Sequence, residues 1–121
     1  MITFKDLKVG DKIYRFDSET FEITSQVITD IVADCGDMFF GFDGKMNLLS
    51  AEYYEKGEYI RLEEWECDYP VVDSGWAIAD LDCFLKEMKE DFEEFKRDYK
   101  KKEARCEEAI RKVENYIVAA K

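Results

Sequence analysis

The segment Leu62-Glu-Glu-Trp-Glu-Cys-Asp-Tyr-Pro70 places acids at alternate positions, Glu64, Glu66 and Asp68, directly after Glu63. On an extended strand these three carboxylates would leave one face at intervals of about 6.6 Å, with Trp65, Cys67 and Tyr69 on the other. Such a row spaces negative charge like a phosphate ladder, and the chemistry it offers is docking on a lysine- or arginine-rich surface. A second acidic patch is expected around the turn Ala33-Asp-Cys-Gly-Asp37, from Asp30, Asp34 and Asp37. The plainer reading of either patch is an edge strand kept soluble by charge.

Catalytic chemistry finds little to work with. Histidine, the usual acid-base group near neutral pH, is absent. There is no G-x-x-x-x-G-K-S/T loop and no G-x-G-x-x-G to cradle phosphate. The four cysteines, Cys35, Cys67, Cys83 and Cys106, form no C-x-x-C pair and read as buried free thiols, with a four-thiolate zinc site or disulfides as the alternatives. The expectation is a protein without catalytic residues, metal or cofactor, although oxygen ligands for magnesium need no special spacing.

Charge points to the kind of partner. The net formal charge is −11, and the first 79 residues carry nearly all of it, with 17 acids against 7 bases. A surface of this sign repels nucleic acid and attracts basic protein. Residues 96–105, Lys-Arg-Asp-Tyr-Lys-Lys-Lys-Glu-Ala-Arg, form a basic belt that reads as a solvated helix face with acids three or four positions away. The aromatics Tyr14, Phe16, Phe39, Phe40 and Trp76 could stack bases, but a module this small needs most of them inside, so direct nucleic-acid binding is not expected.

The elements that must position these groups change character near residue 80. Before it, closely spaced turns separate short apolar stretches. Asp11–Phe16, Phe21–Ile31, Met38–Phe42, Lys45–Leu49 and Glu58–Tyr69 read as strands, with Asp43-Gly44 as a hairpin turn. Five strands in about 70 residues predict a small antiparallel barrel. The opening Phe4-Lys-Asp-Leu-Lys-Val-Gly-Asp-Lys-Ile-Tyr-Arg-Phe-Asp17 resembles the first strand of SH3-like small barrels, which implies that fold and carries no function.

After residue 80 there is no glycine or proline. Leu81, Leu85, Met88, Phe92, Phe95, Tyr99, Lys102, Cys106, Ala109, Val113, Tyr116 and Ala120 follow at spacings of four and three, a heptad seam broken by Lys102. The expected fold is therefore α+β: a module over 1–79 and one long amphipathic helix over 80–121. That helix would be about 60 Å long, twice the roughly 30 Å breadth of the module. Its stripe, with Leu85, Met88, Phe92, Phe95, Tyr99, Cys106, Val113 and Tyr116 as interface residues, needs a cover. The candidates are a second copy in a coiled coil, a bend near Lys100–Lys102 that folds the helix onto the barrel, or another protein. The absence of Gly, Pro or Asn at the bend argues against the hairpin.

No apolar run of signal-peptide character opens the sequence and no stretch of 18 apolar residues follows, so a cytoplasmic protein without membrane contact is expected. In size, acidity and lack of catalytic motifs the chain resembles small phage-encoded inhibitors of the anti-CRISPR type, a likeness of character that assigns no residue a role. The function this implies is that of an acidic, nucleic-acid-mimicking module that occupies the basic groove of a nucleic-acid-handling protein or nuclease. The alternative is an assembly protein that dimerises through its C-terminal helix.

Overall fold

The computed structural model describes residues 1–42, 59–95 and 100–120. The strand expected at 45–49 and the Asp43-Gly44 turn lie outside these residues, as does Tyr99. The architecture is α+β, with two antiparallel sheets that do not close into a barrel and two helices.

The first sheet has the order β2-β1-β7-β6, built from β1 (Lys12–Phe16), β2 (Ile23–Val27), β6 (Val71–Val72) and β7 (Ala77–Ile78). The second has the order β3-β4-β5, from β3 (Asp30–Asp34), β4 (Asp37–Gly41) and β5 (Tyr59–Glu63). The single strand expected over Phe21–Ile31 is thus two strands in different sheets. The chain crosses at buried Ile28, whose N–H donates to Asp11 O (2.8 Å) and whose carbonyl accepts from Gly10 (2.9 Å). Thr29 N–H then donates to Gly41 O at 2.7 Å in the second sheet. This change of sheet satisfies the backbone on both sides of the crossing, and period two alone gives no sign of it.

Between β3 and β4 a two-residue turn is made by Cys35 and Gly36, with φ of 49° and 82°. Positive φ at both central positions matches the right-handed twist of the flanking strands, the turn that a tight hairpin favours. Asp34 therefore lies directly across from Asp37.

Two apolar clusters hold the fold. The first includes Phe4, Ile13, Phe40, Ile60 and Leu62, each no more than 1% exposed, and joins the two sheets. The second joins Ile78 of β7 to Phe84, Val113 and Ile117 of the helices, with Tyr14, Phe16, Leu85 and Met88 against it. Gly75 sits at this seam: a side chain there would meet Phe16 Cβ and the Phe84 ring at 3.0 Å.

The region after residue 80 is two helices, α1 (Leu81–Phe95) and α2 (Lys100–Ala120), and this corrects the expectation of one continuous helix. Asp80 starts α1, its Oδ1 accepting from the N–H groups of Asp82 (3.0 Å) and Cys83 (3.2 Å). The two helices pack on each other and on the first sheet. Lys89 Nζ lies 3.9 Å from Glu114 Oε2 between them, while Arg105 Nη2 donates to Ser18 O at 3.0 Å and Lys112 Nζ to Thr20 O at 3.3 Å. Val113 and Ile117 are buried against the chain's own first sheet, a gain that a single continuous rod would forgo.

Candidate functional site

The acidic segment at 63–68 is not a strand beyond Glu63. Residues Glu64–Asp68 form a 3-10 helix, so the alternate-face ladder of Glu64, Glu66 and Asp68 does not exist. The local cause lies in the acids themselves. Glu66 Oε1 accepts the N–H of Glu63 at 3.0 Å, and the Trp65 indole N–H donates to Glu63 Oε2. These bonds reward a tight turn over an extended chain. Cys67 points inward and is 2% exposed, while Trp65 (61%) and Tyr69 (54%) stand in solvent and meet edge-on at 6.3 Å.

Glu64 N–H donates to Gly36 O at 2.9 Å, which ties the 3-10 helix to the β3–β4 turn. The two acidic patches of the sequence become one face through this bond. Asp34, Asp37, Glu63, Glu64 and Asp68 are brought together on it, while half-buried Glu66 turns its carboxylate to the Glu63 N–H. Asp30 is not, because it lies at the far end of β3, about 13 Å from Asp34 along the strand, where its carboxylate accepts from Thr29 Oγ1 at 2.9 Å.

Behind this face lies a groove of about 910 Å³. Phe4, Leu7, Ile31, Met38 and Phe40 line its apolar part, and Lys5, Asp37, Glu63, Glu64, Trp65 and Asp68 its polar part. Two of the acids are already partnered: Asp37 by Arg61 at 2.7 Å, and Asp68 by Lys5 at 2.8 Å. Glu64 and Glu66 have no basic partner among the described residues.

The thiols here are poor nucleophiles. Burial, and then the charges of Glu66, Asp68 and Glu64, push the Cys67 thiol up to about 11. A hydrogen bond to Asp34 raises that of Cys35. All four cysteines are free, but the expectation that all are buried fails: Cys35 is exposed, and Cys83 and Cys106 are half-buried. Among the described residues no group of three or more His, Cys, Asp or Glu is placed to hold a metal ion, and no helix is long and apolar enough to cross a membrane.

The residues expected at a helix interface are used within the chain. Leu85, Met88, Val113 and Tyr116 pack toward the first sheet. Phe92 and Cys106 line a smaller pocket, about 250 Å³, between the helices and Phe16, Phe21 and Phe84. Phe95 ends α1, and its side chain, like Tyr99, lies outside the described residues. Of the proposed stacking aromatics, Phe39 and Phe40 are core, Tyr14 and Phe16 are half-buried, and Trp76 is 44% exposed beneath the Arg15 guanidinium, 5.5 Å from its ring centroid.

The exposed pair Trp65 and Tyr69 was the missed feature. Reading 58–69 as one strand placed both opposite the acids; the available signal was the Glu63–Glu66 spacing, in which an acid three positions on can reach back to a backbone N–H. No protein family, curated protein or solved structure matches this chain.

Proposed function

We propose that this protein is a non-enzymatic interaction module that docks its acidic face on a basic protein surface, of the kind a nucleic-acid-handling protein uses to hold a phosphate chain. The supporting observation is the Glu64–Gly36 bond, which gathers two acidic segments around an apolar groove and leaves Trp65 and Tyr69 exposed at its border. Glu64, without a basic partner among the described residues, supplies attraction and steering, and the aromatic pair supplies contact area that surface carboxylates lack. An inhibitor that competes with nucleic acid needs both, because charge alone is screened within about 8 Å at physiological salt.

Titration with a labelled arginine-rich peptide, following the anisotropy of the peptide's label, tests this reading. Binding should weaken steeply with salt, fall at least tenfold in Trp65→Ala, and disappear in Glu64→Lys. The bound protein should also displace duplex DNA from a basic DNA-binding protein. Salt-independent binding, or binding unchanged in both variants, would refute it.

A further inference from the structure

The outer edge of β2 carries an inference independent of the acidic face. Two backbone bonds bracket the β1–β2 pair: Asp17 N–H to Glu22 O at 2.9 Å, and Ile28 N–H to Asp11 O at 2.8 Å. With Tyr14 across from Ser25, this register turns the backbone of residues 22, 24, 26 and 28 toward β1 and that of Ile23, Ser25 and Val27 outward. None of these three has a hydrogen-bond partner for its outward groups among the described residues.

Edges of this kind are normally blunted by charge, proline or shortness. β2 has none of these, since Ile-Thr-Ser-Gln-Val contains no charged residue in a chain that is 39% charged. The other outer strands of the two sheets differ: β6 has only two residues, β3 carries Asp30 and Asp34, and β5 carries Arg61 and Glu63. Val27, at 48% exposure, lies on the same side of the pleat as Ile23, which packs toward the helices.

We propose that β2 is a self-association edge, where two copies pair antiparallel about a two-fold axis at Ser25 and join their first sheets into one. The sequence is self-complementary in that register. Ile23 faces Val27 of the copy, Ser25 faces Ser25, and each of these outward-facing pairs exchanges both of its backbone bonds. β-branched side chains then lie side by side, and Glu22 comes opposite Ile28 rather than another acid, so no like charges face each other along the strand. A single short strand pair buries little area, and the expected affinity is in the micromolar range.

Sedimentation equilibrium over a concentration series reaching the order of 1 mM, where a micromolar dimer is saturated, is the test. The expected result is a mass rising from 14.3 kDa toward twice that value. Ser25→Pro removes an N–H that the chain's own sheet does not use, and Val27→Lys places a charge on the edge. Each should hold the protein at monomer mass with an unchanged circular dichroism spectrum, and Val27→Lys decides the matter if the proline variant does not fold. Amide exchange at Ile23, Ser25 and Val27 should slow with increasing concentration in the wild type. A wild type that stays monomeric throughout, a dimer that survives Val27→Lys, or a monomer that instead captures an unrelated strand peptide would each overturn the proposal.

Discussion

The ring of Tyr14 on β1 meets the ring of Tyr116 on α2 edge-on, with centroids 6.3 Å apart. A seam residue near the end of the chain is thus spent on a strand near its beginning, in one of the arrangements aromatic pairs prefer. The same is true one turn earlier, where Val113 is fully buried against Ile78 and Phe84. Among the described residues, Leu85, Met88, Val113 and Tyr116 of the apolar stripe have their cover within the chain.

Stability should therefore depend on α2 as on any core element. Val113→Ala removes two methyl groups from a fully buried site and should cost about 2 kcal/mol, from lost transfer energy plus the cavity left behind. Val118→Ala, one position past Ile117 and 75% exposed, should change stability by no more than about 0.5 kcal/mol. Urea denaturation of the two variants checks both figures. Equal, negligible effects would mean that the C-terminal helix does not belong to the cooperative unit.

Much of this was legible in the sequence, and what was not has definite causes. Strand β1 and both helical stripes follow from periodicity, because each buries one face, and β4 follows from a short apolar run that is buried on both. The change of sheet at Ile28 was hidden, since period two runs through a crossover without interruption. The division into two helices was hidden as well, because the sequence there carries no breaker, and the burial of Val113 and Ile117 on the first sheet is a tertiary gain that a local pattern does not report. At the acidic face, a 3-10 helix stands where an extended ladder was expected, and Asp30 lies apart from the other acids. Alternation suggested a strand, but the carboxylates of Glu63 and Glu66 bond to neighbouring N–H groups and curl the chain.

Gly75 offers a sharper test of packing between sheet and helix. Its φ of 111° disfavours any side chain, and an added Cβ would sit 3.0 Å from Phe16 Cβ and from the Phe84 ring. Gly75→Ala should cost more than the 1–3 kcal/mol or so of backbone strain alone. Gly10→Ala, with φ of 99° but open space around it, should cost only that strain. A difference of at least about 1 kcal/mol between the two melting-derived stabilities is expected.

Cys67 makes stability depend on alkaline pH. Its thiol ionises near 11 in the folded protein, against an ordinary value of 9.0. The unfolded chain loses this proton first, so the contribution is complete below pH 9 and is lost as pH rises toward 11. The loss should be on the order of 2 kcal/mol, and it should be absent in Cys67→Ala when denaturation curves are compared across this range. Below pH 9 the same group should resist alkylation while exposed Cys35 reacts, though slowly, because Asp34 raises its thiol as well.

Asp80 governs the acid limb. Its Oδ1 caps α1, and its Oδ2 accepts the N–H of Ile2 at 3.0 Å, pinning the N-terminal segment to the start of the helix. Burial alone would raise this carboxyl, but the bonds from Ile2, Cys83 and Asp82 together outweigh it and hold the group below its ordinary 3.8. The folded state therefore releases the proton more readily than the unfolded one. The stability gained is complete above 3.8 and fades as pH falls through the lower folded value. Asp80→Ala should cost about 1–2 kcal/mol at neutral pH and flatten the acid limb. Asp80→Asn keeps an acceptor for the helix N–H groups, so it should recover most of the neutral-pH stability without restoring the pH dependence. Urea midpoints of the three proteins from pH 7 to pH 3 would show this split, and an asparagine variant as pH-sensitive as the wild type would assign the acid limb to another carboxylate.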